Sequence, residues 1–158
     1  MPIPNSKIVF GTALTDDIFF EIAREKSFEV FQGGLKKDRD GQIFLDRDRK
    51  PQQEKNRSTQ LRKFYDELVM WTDKVHAIGK LEPGQKSSEV RANRYRDSAP
   101  FIKMMNAKVA YAKGRNHVDD SFEAMFSHCI KSVSDAETLK HAKLFMEAFM
   151  GFYKAQEK

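Results

Sequence analysis

The sequence predicts an all-α protein, a single compact bundle of about five to six helices, on three observations. Apolar residues recur at three- and four-residue steps over long stretches, short polar loops separate those stretches, and one four-residue run, Gln42-Ile43-Phe44-Leu45, gives the only strand signal. With 158 residues the chain is long enough to bury a core and too short for a multi-domain enzyme. Its 13 Phe, 7 Met and 40% apolar residues outweigh a charged fraction of 32% and a mean hydropathy of −0.66, so a folded domain is expected over disorder.

Residues 16–32 form the first expected helix. Thr15 is its N-cap, Asp16 and Asp17 suit the positive end of the helix dipole, and Gly33-Gly34 stops it. From Gly33 to Asn56 the chain turns polar and irregular. Asp40-Gly41 ahead of Gln42 to Leu45 suggests a small hairpin, and Asp46 to Asn56, with alternating charges around Pro51, reads as a mobile linker. No internal repeat is evident. Residues 1–56 are therefore an N-terminal helix plus a polar irregular segment, and residues 57–158 carry the helical-bundle core.

The helical signal is stronger after Asn56. Ser58 fits an N-cap, and Leu61, Phe64, Leu68, Trp71, Val75 and Ile78 fall on one core-facing stripe that ends at Gly79. The loop Leu81-Glu82-Pro83-Gly84 leads to a short basic segment, residues 88–97. Ser98-Ala99-Pro100 then opens a helix, with Pro in its first turn, that runs to about Ala112. Val118, Phe122, Met125, Phe126, Cys129, Ile130 and Val133 mark the next stripe, which puts Cys129 in the core. Ser134-Asp135-Ala136-Glu137 has the S-x-x-E form of a capping box and opens the last helix, carried by Leu139, Ala142, Phe145, Phe149 and Phe152.

Composition excludes several classes of function. A single Cys allows neither an internal disulfide nor a cysteine-based metal site and fits a reducing compartment. No apolar run reaches membrane-span length, and Met-Pro-Ile-Pro-Asn lacks the charged and apolar regions of a signal peptide, so a cytoplasmic protein without a membrane partner is expected. His76, His117, His128 and His141 lie in separate segments without an i,i+4 pair, and no metal or other cofactor is expected. Asp38-Arg39-Asp40-Gly41-Gln42 resembles the start of a calcium loop, but the sixth position is Ile43 instead of Gly and the twelfth is Arg49 instead of Glu. Phosphate-cradling glycine loops and the hydrolase elbow are absent from the sequence. His117 beside Asp119 and Asp120 offers acid/base groups, but sequence neighbours at a helix start serve as caps more often than they converge on one substrate atom.

The informative chemistry is the charge distribution. Of the formal +5, the stretch from Arg91 to Arg115 supplies seven cations against one anion, Asp97, while residues 1–35 and 116–158 are each net acidic. A polyanion partner is one explanation and a solvated basic face the other. In the helix from Ser98 to Ala112, Phe101, Met104, Met105, Val109 and Ala112 share a side, and Lys108 points between Met104 and Ala112, with Arg115 seven residues on. Two readings of Lys108 stay open: a lysine snorkelling from the core edge, or a cation held by packing to meet a phosphate. Arg57, Arg62 and Lys63 form a second cluster at the start of the earlier helix, where free backbone N–H groups also favour phosphate. Arg91, Arg94, Lys103 and Lys113 widen the candidate surface, and Tyr65, Tyr95 and Tyr111 are candidates to stack on bases.

Three ordered blocks carry a family resemblance. They are Thr59-Gln60-Leu61-Arg62-Lys63-Phe64-Tyr65; Pro100-Phe101-Ile102-Lys103-Met104 running through Asn106-Ala107-Lys108-Val109-Ala110-Tyr111-Ala112 to Gly114-Arg115; and Phe145-Met146-Glu147-Ala148-Phe149 with Phe152-Tyr153-Lys154. Over roughly residues 57–155 the chain closely resembles the small helical subunit of the type III-A CRISPR effector, the Csm complex. The resemblance implies a small all-α protein present in several copies beside the backbone subunits, lining the channel that holds guide RNA paired to target RNA, with cutting left to the backbone and large subunits. It also implies that Arg62, Lys63, Lys103, Lys108 and Arg115 are the family-like basic positions. Arg57 joins them by proximity, and Arg91, Arg94 and Lys113 by charge alone. The expected partners are guide RNA, target RNA, the backbone and large subunits, and neighbouring copies of the chain. The expected function is a non-catalytic RNA-binding structural subunit that contacts phosphate and sugar without reading bases. The alternatives are a helical protein–protein adaptor with a basic surface and a small metal-independent ribonuclease using His117 or His128.

Overall fold

The computed structural model describes residues 3–157, and among them six α-helices form: α1 Ala23–Gly33, α2 Ser58–His76, α3 Ser87–Lys103, α4 Met105–Gly114, α5 Asp120–Lys131 and α6 Ala136–Gln156. The all-α bundle expected from the periodicity is the observed fold. The 21-residue α6 is its spine, packed against α1 on one flank and α2 on another; α5 fills in against α1 and α4, and α3 lies along α2. The stripes explain this order. α6 buries Leu139, Ala142, Phe145, Met146, Phe149 and Tyr153, α5 buries Phe122, Met125, Phe126, Cys129 and Ile130, and α2 buries Leu61, Phe64, Leu68 and Val75. Their rings meet at the centre: Phe64 lies 5.7 Å from Phe122 and 5.2 Å from Phe126, and Phe149 stacks on Tyr153 at 5.6 Å. Each fully buried Phe contributes about 1.5–3 kcal/mol, so this cluster fixes how the helices meet.

The ends of the helices differ from the sequence reading in instructive ways. The first helix begins with a π-helical turn, Ile18–Ile22, ahead of α1, and Thr15 does not cap it, because its hydroxyl donates to Asp17 Oδ1 at 2.6 Å. Ser58 is the first helical residue of α2, one place later than an N-cap. The capping box of α6 also sits one place on: Asp135 Oδ1 accepts from the Thr138 amide at 2.7 Å, and the Thr138 hydroxyl closes back on the Asp135 amide at 3.0 Å. Asp119 caps α5 as expected, accepting from the Phe122 amide at 3.1 Å. The basic segment 88–97 is not a separate element; it forms most of α3, with Pro100 inside the helix and a break at Met104 before α4. Only Ile102 of α3 is fully buried, so the segment lacks the apolar period that would have announced it.

Residues 35–53 are not a linker. Three isolated antiparallel bridges, Leu35 with Gln53, Lys37 with Ile43 and Leu45 with Pro51, tie three short segments to one another in pairs. The hairpin suggested at Asp40-Gly41 is present as one of these bridges. Two matched turns join the segments and expose an eight-residue repeat that composition alone conceals: Asp38-Arg39-Asp40-Gly41-Gln42 and Asp46-Arg47-Asp48-Arg49-Lys50. Asp38 Oδ1 accepts from the amides of Asp40 (2.9 Å) and Gln42 (3.0 Å), and Asp46 Oδ1 from those of Asp48 (2.8 Å) and Lys50 (2.9 Å). The fourth position of each turn is left-handed, Gly41 at φ 79° and Arg49 at φ 59°, where the second turn places a side chain that resists it.

Asn56 locks this segment to the bundle. Fully buried and left-handed at φ 57°, it donates from Nδ2 to the Val30 carbonyl and to Asp119 Oδ1, both at 2.8 Å, while its Oδ1 accepts from the Asp119 amide at 2.9 Å. Its own amide donates to the His117 carbonyl at 2.9 Å, and its carbonyl accepts from the Tyr153 hydroxyl. One side chain thus joins the end of α1, the start of α2 and the start of α5. Gly33-Gly34 makes the same seam possible: an added Cβ would lie 2.0 Å from Asp119 Oδ2 at Gly33 and 2.2 Å from the Lys55 carbonyl at Gly34.

Candidate nucleic-acid interface

α2 and the α3–α4 unit lie antiparallel, as successive contacts show. The Asn56 amide meets His117, Lys108 meets Glu67, Phe101 meets Trp71, and Arg94 meets Ala77. This register brings the start of α2, with Arg57, Arg62 and Lys63, to the end of α4, with Arg115. Of the two basic clusters read separately in the sequence, Lys63 thus shares the side of α2 that meets α4, whereas Arg62 lines a hollow with Met150 and Lys154 of α6.

Within α4 the core side is Met105, Val109 and Ala112, with Ile102 of α3 preceding them. Phe101 and Met104, placed on that side by the sequence, instead point outward at 52% and 49% exposure, and Tyr111 is 66% exposed. Phe101, Met104, Lys108, Tyr111 and Arg115 follow one another at steps of three and four and form a second, outward stripe. Lys108 is therefore neither snorkelling from the core nor caged by it. Its Nζ pairs with Glu67 Oε1 of α2 at 2.9 Å, and with the side chain 46% exposed the ammonium still faces solvent. Glu67 Oε2 accepts from Trp71 Nε1 at 3.1 Å, so one carboxylate positions both the lysine and the indole. Arg115, the residue after α4, lies over the Tyr111 ring at 5.8 Å and donates to its hydroxyl at 3.2 Å.

Trp71, placed in the core stripe by the sequence, is only half-buried. It stacks on Phe101 at 5.8 Å with an interplanar angle of 13°, and Lys74 Nζ lies 5.1 Å from its ring centroid. Trp71, Phe101, Glu67 and Lys74 were missed as site residues. The signal available was spacing: Lys63, Glu67, Met70 and Lys74 fall on one side of α2 by the same three- and four-residue rule, with Trp71 beside them.

Other predicted cations have structural partners. Lys103 Nζ turns inward and donates to the carbonyls of Ile130 (2.7 Å), Lys131 (3.4 Å) and Val133, closing the C-terminal end of α5, and burial pulls its pKa below the usual lysine range. Arg94 does the same for α2, donating to the carbonyls of Ala77 at 2.8 Å and Lys74 at 3.3 Å. Lys113 bridges to Asp120 at 2.7 Å and Glu123 at 3.3 Å across the α4–α5 connection; those hydrogen bonds raise its pKa and keep it charged, while the two carboxylates offset that charge locally. Arg91 lines an open cleft of about 560 Å³ with Arg96, Asp135 and Glu137, away from the stripe. Arg57, Arg62 and Lys63 are exposed, Arg62 with Asp66 4.0 Å away. Of the three tyrosines, Tyr65 donates to Glu147 at 3.4 Å and Tyr95 to the Val133 carbonyl at 3.3 Å, both half-buried, which leaves Tyr111 as the open ring.

Three of the four histidines also hold structure, while His117 is exposed just past the end of α4. His128 Nε2 donates to the Ile8 carbonyl and His76 Nε2 to the Ala136 carbonyl, each at 2.8 Å, and His141 Nδ1 accepts from the Gly11 amide at 3.0 Å. Among the described residues no group of three or more His, Cys, Asp or Glu side chains gathers as for a metal ion, and no helix is long and apolar enough to cross a membrane.

Comparison with known proteins adds one finding. The family model described as Csm2 Type III-A matches residues 48–158, which takes in α2 to α6 and both helices of the stripe. No curated protein and no solved structure matches the chain. A match over more than half its length, on a bundle of the expected class, means that the chain belongs to the Csm2 family and is a small structural subunit of the type III-A CRISPR Csm complex.

Proposed function

We propose that this subunit is a non-catalytic RNA-contact element of the type III-A complex, acting in the cytoplasm. Several copies lie beside the backbone and large subunits, and each turns its α2–α4 face to the guide and target RNA. Lys108 and Arg115 are the principal phosphate contacts, with Lys63 extending them along the start of α2 and Arg57 and Arg62 flanking it. The observation that carries this reading is the outward stripe itself: cations at steps of three and four on paired helices, oriented by Glu67 and Tyr111 and still open to solvent. Contacts of this kind neutralise phosphates without reading bases, which suits a complex whose sequence choice is made by guide–target pairing. In this reading Lys103 and Arg94 stand outside the contact set because backbone carbonyls hold their charged ends, and Lys113 because two carboxylates, Asp120 and Glu123, flank it.

Ultraviolet crosslinking of target RNA within the assembled complex, followed by peptide mapping of this subunit, tests the proposal. Crosslinks are expected in peptides from α2 and from α3–α4. Crosslinks confined to α1 or to the exposed side of α6 would contradict it.

A further inference from the structure

We propose that the same face is a stacking platform for unpaired RNA bases, with Phe101 and Tyr111 as the rings that bases contact and Trp71 as the wall behind Phe101. The inference rests on the RNA-contact reading above and assigns the site a more specific ligand, a strand whose bases are free of pairing. Trp71 and Phe101 are already stacked at 5.8 Å and 13°, and Phe101 remains 52% exposed, so the stack ends in an open aromatic face. Tyr111 is more open still, and Arg115 stands over it as a cation that can meet the phosphate of a base resting on the ring.

Exposed aromatic and Met side chains in a row mark a surface that binds something. An apolar helix would bring no anionic group to Lys74, Lys108 and Arg115. A strand that offers π-faces and phosphates in alternation satisfies both the rings and the cations. The one carboxylate within the row, Glu67, is occupied at both oxygens by Lys108 and Trp71 and does not oppose a polyanion. From Phe101 to Tyr111 the helical rise is about 15 Å. At a stacked spacing of roughly 3.4 Å per nucleotide that spans about four nucleotides, so the two rings hold separate bases of one short segment.

The chain has a single Trp, so tryptophan fluorescence, excited to the red of the tyrosine band, reports on this site alone. The full-length protein is titrated at low ionic strength with oligouridylate and oligoadenylate single strands, an RNA duplex of equal length, and inorganic polyphosphate. Single strands are expected to quench Trp71 and to bind more tightly than duplex, while polyphosphate binds without quenching. Phe101→Leu, which keeps an apolar side chain over Trp71, and Tyr111→Ala should each weaken single-strand binding at least about fivefold and leave the salt slope unchanged. Circular dichroism and melting of each variant confirm that the fold is kept. If Phe101→Leu and Tyr111→Ala have no effect while Lys108→Ala and Arg115→Ala weaken binding, stacking is refuted and the phosphate-contact reading stands. Duplex binding as tight as single-strand binding also refutes stacking. If none of the four substitutions matters, the RNA-contact reading itself fails.

Discussion

Lys103 and Lys108 lie five residues apart in the α3–α4 unit, and their partners give them opposite roles. Lys103 closes the last carbonyls of α5, where the helix dipole also favours a cation, with its ammonium half-buried and its stem packed. Lys103→Met keeps the stem and removes the charged donor, leaving the carbonyls of Ile130 and Val133 without it. A hydrogen bond to a charged group is worth about 1.5–3 kcal/mol, and the cost of dehydrating the ammonium offsets part of that, so a net loss of about 2 kcal/mol is expected. For a chain of this size each kcal/mol lowers Tm by about 2–4 °C, which gives a fall of about 4–8 °C. Lys108→Met removes a half-exposed ion pair worth about 0–1 kcal/mol and should move Tm by no more than a few degrees. The assay is thermal unfolding by circular dichroism, run beside RNA binding over a salt series. Lys103→Met is expected to lower Tm and keep the salt slope, and Lys108→Met to keep Tm and lower the slope. A Lys103→Met protein with unchanged Tm and a reduced slope would refute the division of roles.

Asn56→Ala should destabilise the fold by about 2–4 kcal/mol, measured by denaturant unfolding, because it leaves the Asp119 amide without its partner and removes the donor that ties the Val30 carbonyl to Asp119 Oδ1. Arg49→Gly should stabilise by about 0.5–1 kcal/mol, by relieving a left-handed backbone at φ 59° in an exposed turn; an unchanged midpoint would show that the turn carries no such cost. Cys129 is fully buried and burial pushes its thiol up to about 12, so alkylation by iodoacetamide near neutral pH should occur only as fast as the protein unfolds. Rapid stoichiometric labelling of the native protein would show that α5 opens locally.

The parts of the fold legible in the sequence are those whose information is carried by side-chain type at helical spacing. The stripes of α2, α5 and α6 and the Asp119 cap belong here. α3 was hidden because none of its residues before Ile102 is buried and its few apolar residues follow no helical stripe, so the helix has no apolar period to read. The shifted capping box arose because Ser134 and Asp135 both suit an N-cap, and the choice depends on Thr138 closing back on Asp135.

At the site, cations were easy to find and their roles were not. Lys103 and Arg94 read as free charges because their partners are backbone carbonyls, which leave no mark in a sequence. The partner of Lys108, Glu67, lies 41 residues away and becomes visible only when α2 and α4 are placed antiparallel. The same is true of the Trp71–Phe101 stack, since a ring at helical spacing reads as core until the neighbouring helix shows which side is covered.

The central claim is that the α2–α4 stripe holds RNA phosphates through Lys108 and Arg115. The most direct test reconstitutes the type III-A complex with the Lys108→Ala/Arg115→Ala subunit and measures target-RNA affinity across a salt series. In each copy that touches RNA, two lost contacts should reduce the slope of log K against log salt by up to roughly 1.4 if the strand behaves as single-stranded, or about 1.8 if duplex-like, equally for targets of different sequence. An assembled complex with unchanged affinity and unchanged slope would contradict the claim.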